Sequence, residues 1–144
     1  MIVWGIVLAV HMLGAMIWVG GMFFGMLVLR PGMVVLPAAE RLALHAEVFH
    51  RFFRVVWHAM PAILLSGYLM LFGLYGGFAG VDWSVHVMHL LGLVMAATFV
   101  AIVFGPYARF RADPSVASAE AIRRLVMVNL VLGLITVVVA AIGA

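Results

Sequence analysis

Four long apolar stretches, separated by short polar breaks, dominate the pattern of the chain. They cover residues 2–29, 55–80, 83–110 and 125–142, and each approaches or exceeds the roughly 20 residues that a helix needs to cross a bilayer. Backbone in lipid must satisfy its own hydrogen bonds, and the strict alternation of barrel strands is missing, so we predict helices. The sequence therefore predicts an all-α fold: an integral membrane four-helix bundle forming one domain over residues 1–144.

Turn-forming and charged residues mark the breaks between these spans. Arg30-Pro31-Gly32 follows the first span, residues 76–82 separate the second from the third, and residues 111–115 follow the third. No basic residue precedes the first span, which is too long for the apolar part of a signal peptide. We therefore expect the first span to be a mature membrane helix.

The connection between the first and second spans has the periodicity of an amphipathic helix. Its charged positions, Glu40, Glu47, Arg51 and Arg54, lie on one face, and its apolar positions, Leu42, Ala46, Phe49, Phe53 and Val56, lie on another. We predict a helix at the membrane surface that continues into the second span. Its simplest role is anchoring.

The composition supports a membrane location and excludes several chemistries. Hydrophobic residues make up 68% of the chain, and the mean hydropathy is +1.30. There is no cysteine, which excludes disulfides, thiolate metal sites and covalently attached c-type haem. The five acidic residues all lie outside the predicted spans, so the paired interior carboxylates of a hydrolase are absent.

The basic residues predict an orientation in the membrane. All eight are arginines, the formal charge is +3, and they flank the first and third connections but not the second. Basic residues near span ends stay on the cytoplasmic side, so both termini are expected outside a bacterial cytoplasmic membrane. This placement explains the basic charge, and no nucleic-acid partner is indicated.

Histidines inside the spans are the main candidates for a functional site, because ionisable side chains in a bilayer are costly. His11 shares a helix face with Gly14 and Trp18, and His89 shares one with Gly92. Small residues let a flat porphyrin approach the backbone, and two imidazoles are suitable axial ligands for its iron. We predict haem b between His11 and His89; close helix packing explains the same pattern.

The second span adds further candidates around a haem. Arg54 is placed to meet a haem propionate or a lipid phosphate, or simply to extend to the membrane interface. His58 follows Arg54 by one helical turn and is an alternative ligand, as is His86. These residues complete the predicted cofactor site.

Eleven methionines raise copper as the alternative to haem, because thioether and imidazole ligands favour Cu(I). Met12 and Met16 lie on the helix that carries His11, and with His89 they form the candidate copper ligands. No Met-x-Met or Met-x-x-Met cluster occurs, and methionine in apolar helices is more often packing material.

Several segments in order resemble the HemJ/CopD-like group of small four-helix membrane proteins. They are His11 with Trp18 and Gly20-Gly21, then LRPGMVV, FHRFFRVVWHAMP, WSVHVMHLLGLVM and RRLVMVN. HemJ-type proteins are oxygen-independent protoporphyrinogen oxidases, and this resemblance implies haem b bound through a first-helix histidine, matched by His11, and a third-helix lysine. The lysine position falls at or near Met88-His89, so it has no counterpart. Resemblance to CopD-like proteins implies copper import or resistance.

Three functional hypotheses follow. The first is a haem b protein, possible as a membrane oxidoreductase, that transfers electrons between a quinone or another membrane redox partner and an acceptor on the outer side. The second is a copper import or resistance protein, and the third is a HemJ-type protoporphyrinogen oxidase. A cofactor-free packing subunit is the structural alternative. Membrane lipid is the expected environment, and a homo-oligomer is compatible with the pattern.

Overall fold

A computed structural model describes residues 1–143, which form helices and short turns and contain no β-strand. Four segments are long and apolar enough to cross a membrane: Ile2–Val35, Ala38–Gly73, Trp83–Ala112 and Val116–Ile142. The prediction of an all-α, multi-pass membrane bundle is confirmed. The α-helices are α1 (Ile2–Phe24), α2 (Arg30–Gly32), α3 (Ala38–Gly73), α4 (Trp83–Phe104), α5 (Pro106–Ala112) and α6 (Val116–Ile142).

The long helices form two pairs. α1 packs along α3, α4 packs along α6, and a smaller contact between α1 and α6 joins the pairs. Asn129 on α6 is only 1% exposed, and its side-chain amide donates to the carbonyl of Met95 on α4 at 3.1 Å. This buried polar bond fixes α6 against α4, as polar residues commonly do between membrane helices.

The first span continues beyond its predicted end at residue 29. Pro31 has no N–H to donate within a helix, and the chain accommodates it with a π-helical turn over Gly25–Leu29. There the N–H of Arg30 reaches back to the carbonyl of Gly25, five residues earlier. The helical path then runs through α2 and a 3₁₀ turn at Met33–Val35, so Arg30-Pro31-Gly32 is not a helix stop.

The third span is broken where the sequence analysis expected continuous helix. Gly105 has φ −104° and ψ −104°, and Pro106 begins α5. A Cβ on Gly105 would lie 2.6 Å from the carbonyl oxygen of Ala101, so only glycine fits this break. The fourth span also starts earlier than residue 125, at Val116, where the Ser115 hydroxyl accepts from the Ser118 N–H.

The amphipathic segment and the second span form one continuous helix, α3, as predicted. Its 36 residues measure about 54 Å, well beyond the roughly 30 Å hydrocarbon core. The apolar face of its first half packs on other helices rather than only on lipid: Phe49 lies edge-on to Phe110 at 5.6 Å, and Phe53 lies edge-on to Tyr107 at 4.8 Å. This half of α3 is therefore part of the bundle core.

The buried core lies at one end of the bundle. We call this the arginine end: α1 finishes there, α3 and α6 begin there, and Arg30, Arg41 and Arg123 lie there. The contiguous buried cluster extends from this end up to Trp18, Val56, Met95 and Leu130. At the opposite end, large apolar side chains such as Leu69 and Trp83 are exposed.

Candidate functional site

His11 is half-buried against α3. Its Nδ1 lies 3.0 Å from the carbonyl oxygen of Ile63 and 3.2 Å from Oγ of Ser66. A Cβ on Gly67 would lie 3.2 Å from the imidazole Cε1, so the missing side chain at Gly67 makes room for the ring. α3 therefore holds His11 in one orientation.

These contacts identify the protonated nitrogen of His11. The Ile63 carbonyl can only accept, and the Ser66 hydroxyl donates its own proton to the carbonyl of Ala62 at 2.6 Å. Nδ1 must therefore carry a proton and donate it to Ile63 and Ser66. Nε2, which has no hydrogen-bond partner among residues 1–143, keeps its lone pair in the neutral ring. A backbone bond at one imidazole nitrogen that leaves the other free is the usual arrangement of a metal-binding histidine.

His89 has a different environment, made of aromatic rings. It lies edge-on to Tyr68 at 5.2 Å and to Phe78 at 5.1 Å. Its Nε2 is 3.4 Å from the Tyr68 hydroxyl, a long hydrogen bond. His86 stacks on the same Phe78 ring at 5.8 Å. His89 thus belongs to an aromatic cluster near the opposite end of the bundle.

The two histidines predicted to share one iron contact different flanks of α3. His11 meets residues 63, 66 and 67, whereas His89 meets residue 68, and consecutive helical positions are rotated by about 100°. The predicted haem surface is also filled, because a Cβ on Gly14 would lie 2.6 Å from the Ile63 side chain. These residues do not fit a haem between His11 and His89.

The other predicted haem neighbours are also placed elsewhere. Trp18 is buried in the core and packs edge-on against Phe99 of α4 at 6.0 Å. Gly92 has no side chain or backbone of another element near its Cβ position. Arg54 and His58 are exposed, and His58 bonds the Arg54 carbonyl through Nδ1 at 2.7 Å. None of these side chains surrounds a common space with His11.

The methionines divide into two groups. Met12 and Met16, the predicted copper partners of His11, are exposed on the outside of α1, with Met16 at 59%. Four others are buried: Met22, Met26, Met33 and Met95. Within residues 1–143 no group of three or more His, Cys, Asp or Glu side chains could hold a metal ion. A metal site here would depend on single imidazoles with thioether or backbone ligands.

A polar network at the arginine end was not predicted. Arg123 donates to the Glu120 carboxylate through Nε and Nη2, and its side chain is only 13% exposed. Arg30 from the end of the first span lies 3.6 Å from the same carboxylate. Glu120 therefore ties the first span to α6.

His45 is the buried centre of this network, at 6% exposure. Its Nδ1 donates to the Arg41 carbonyl at 2.8 Å, and its Nε2 accepts from Arg123 at 3.2 Å. Both ring nitrogens are engaged, so His45 is neutral and has no free lone pair. The apolar periodicity of residues 42, 46, 49 and 53 already placed His45 beside the inward face, a signal that the sequence analysis did not use.

The fold and these sites define a class: an integral membrane four-helix protein with a half-buried histidine in its first span. A family model described as copper resistance protein D matches residues 46–142. The chain belongs to this family, which confirms the predicted CopD-like resemblance. The matched region runs from the first half of α3 to the end of α6 and leaves His11, Arg41 and His45 outside. Comparisons with curated proteins and with solved structures gave no significant match.

Proposed function

We propose that this protein handles copper in the membrane, as a copper import or resistance protein. The observation that carries the proposal is its membership of the copper resistance protein D family over residues 46–142. The membrane-spanning helices support it, because an ion that crosses a bilayer needs a protein path with ligands inside the hydrocarbon region.

We infer that His11 is one copper ligand. Its Nδ1 is held by Ile63 and Ser66, and its Nε2 keeps a lone pair for a soft cation such as Cu(I). This role is our own inference, since His11 lies outside the region that the family model matches. Haem b has no comparable support, because the space beside Gly14 is filled by Ile63.

The test compares cells that express the full chain, the chain with His11→Ala, and the chain with His50→Ala. His50 is exposed at the arginine end and serves as the matched control. We expect expression of the chain to change cell-associated copper, measured by mass spectrometry of the metal, and copper tolerance. His11→Ala should abolish this change, and His50→Ala should preserve it.

Purified protein provides the second half of the test. We expect copper to remain bound after dialysis against copper-free buffer and to be lost in His11→Ala. The same cellular copper with and without the chain would contradict the proposal. A Soret band that His11→Ala abolishes would contradict it as well, and would favour the haem b alternative.

We further propose that the arginine end faces the cytoplasm and that both termini lie outside a bacterial cytoplasmic membrane, from the arginine distribution. Because the chain has no cysteine, single-cysteine variants report orientation directly. Ala79→Cys, in the exposed turn after α3, should react with an impermeant maleimide on intact cells. Ala112→Cys, at the exposed end of α5, should react only after lysis. The reverse pattern would overturn the orientation.

A further inference from the structure

A cavity of about 370 Å³ opens at the arginine end between the first span, α3 and α6. Its polar lining consists of Arg30, Arg41, His45 and Arg123, and its apolar lining includes Met26 and Val34. A second cavity of about 130 Å³ shares Arg41, His45 and Arg123. Three guanidinium groups from three different segments therefore surround adjoining space.

One of these guanidinium groups is only partly satisfied. Arg41 donates through Nη2 to the carbonyl of Leu36 at 3.0 Å, which fixes its position. Its Nε is buried and has no hydrogen-bond partner among the described residues 1–143. A buried charged donor without an acceptor is costly. His45, whose nitrogens are engaged with the Arg41 carbonyl and Arg123, does not supply the missing acceptor.

The charge around the cavity is strongly positive. Glu120 is the one carboxylate in contact with the lining arginines among the described residues: it pairs with Arg123 and lies 3.6 Å from Arg30. Exposed Arg124 also lies 4.0 Å from Glu120. One negative charge thus serves three lining arginines, and the space repels cations such as copper.

The backbone adds to this positive field. The first residues of α3 and α6, Ala38 and Val116, both line the smaller cavity. A helix N-terminus carries partial positive charge and free N–H groups. In α3 no side chain caps these groups. The two helix starts and the three guanidinium groups therefore favour the same kind of ligand, an anion.

The position of the cavity along the bundle suggests where this anion comes from. Arg30 follows Ile2 by 28 residues, so it lies about 42 Å along the first span. A bilayer with its headgroup regions is roughly 40–45 Å thick. The cavity is therefore at the level of the lipid phosphates on the arginine side.

We propose that this cavity binds a phosphate group, with Arg41 Nε as the essential donor and Arg30 and Arg123 as its partners. Phosphate presents several oxygens and more than one negative charge, so it can engage separate guanidinium groups at once. The headgroup of an anionic phospholipid and free phosphate share this chemistry. The proposal is independent of copper handling, because none of these groups binds copper.

The test measures thermal unfolding of the full chain, purified in detergent and freed of lipid. One arm titrates inorganic phosphate at constant ionic strength against chloride. The other adds phosphatidylglycerol to the micelles, with phosphatidylcholine as the zwitterionic comparison. Each arm is run on the unaltered chain, on Arg41→Gln and on Arg109→Gln, the last an exposed arginine outside the cavity. Arg30→Gln at the cavity rim replaces Arg41→Gln if that variant does not fold.

We expect a saturable rise in the unfolding temperature whose half-saturating concentration increases at least about tenfold in Arg41→Gln and is unchanged in Arg109→Gln. A response to phosphatidylglycerol alone identifies a lipid headgroup, and a response to inorganic phosphate alone identifies free phosphate. Either response supports the proposal. If neither arm raises the unfolding temperature, or if the cavity variants respond like Arg109→Gln, the proposal is overturned.

Discussion

The two ends of this bundle are built differently. At the arginine end, aromatic side chains from α3, α4 and α5 pack edge to face, and a polar network above them joins the first span, α3 and α6. At the opposite end, His89 and its aromatic neighbours lie between helices whose large apolar side chains remain exposed. Most of the interior packing is thus far from His89.

This difference separates stability from the predicted chemistry. His11 is held by hydrogen bonds to Ile63 and Ser66 and by the close approach of Gly67, above the densest part of the core. The arginine end combines dense packing with charged groups, which is costly unless those groups are paired. We expect changes at the arginine end to affect folding most, and changes around His11 to affect folding least.

The largest effect should come from Phe53→Ala. Phe53 is 4% exposed and contacts the rings of Phe49, Phe99 and Tyr107, so its removal leaves a cavity that costs about 3–5 kcal/mol of unfolding free energy. The control is Phe72→Ala, an exposed ring stacked on Tyr68, with an expected loss of about 1 kcal/mol or less. Denaturation in detergent measures both. Equal losses would contradict the contrast between the two ends.

A middle effect is expected from Arg123→Ala. This substitution leaves His45 Nε2 and the Glu120 carboxylate without their main donor, at a cost of about 2 kcal/mol. The neighbouring Arg124→Ala removes a side chain that is 80% exposed and 4.0 Å from the same carboxylate, so it should cost about 0.5 kcal/mol or less. Similar unfolding free energies for the two variants would show that the network contributes little to stability.

The smallest effect concerns Gly67, which faces His11. Alanine in a helix interior is favoured over glycine by about 1 kcal/mol, and Gly20, with open space at its Cβ position, should show this gain. In Gly67→Ala the new Cβ crowds the imidazole at 3.2 Å, so the gain should disappear. Thermal unfolding of the two variants decides the matter. An equal gain at both positions would mean that α3 does not hold the ring of His11.

Local signals account for the parts of the fold that the sequence predicts well. Runs of apolar residues predict four spans, and Asp113-Pro114-Ser115 correctly separates the last two. The same kind of signal fails at Pro31, where a π-helical turn over Gly25–Leu29 absorbs the missing N–H. A proline predicts a disturbed helix, but whether the helix ends or adapts depends on its neighbours.

The candidate site shows the limit of helix-face patterns. His11 with Gly14 and Trp18 on one face is compatible with a porphyrin or with a neighbouring helix. Packing decides between them: Ile63 fills the space beside Gly14, and Trp18 contacts Phe99. His45 illustrates the opposite case, a histidine that looked peripheral in the chain and is buried in the folded protein.

The sequence by itself determined that this is a helical membrane protein with four spans and one arginine-rich end, because hydropathy and charge act on each segment separately. It also identified His11 and the resemblance to the CopD family. Only the tertiary structure decided that His11 and His89 contact different flanks of α3, that Arg41 and His45 line a cavity, and that the core lies at the arginine end. These features depend on contacts between residues far apart in the chain, where burial and hydrogen-bond partners are set by the neighbouring helix.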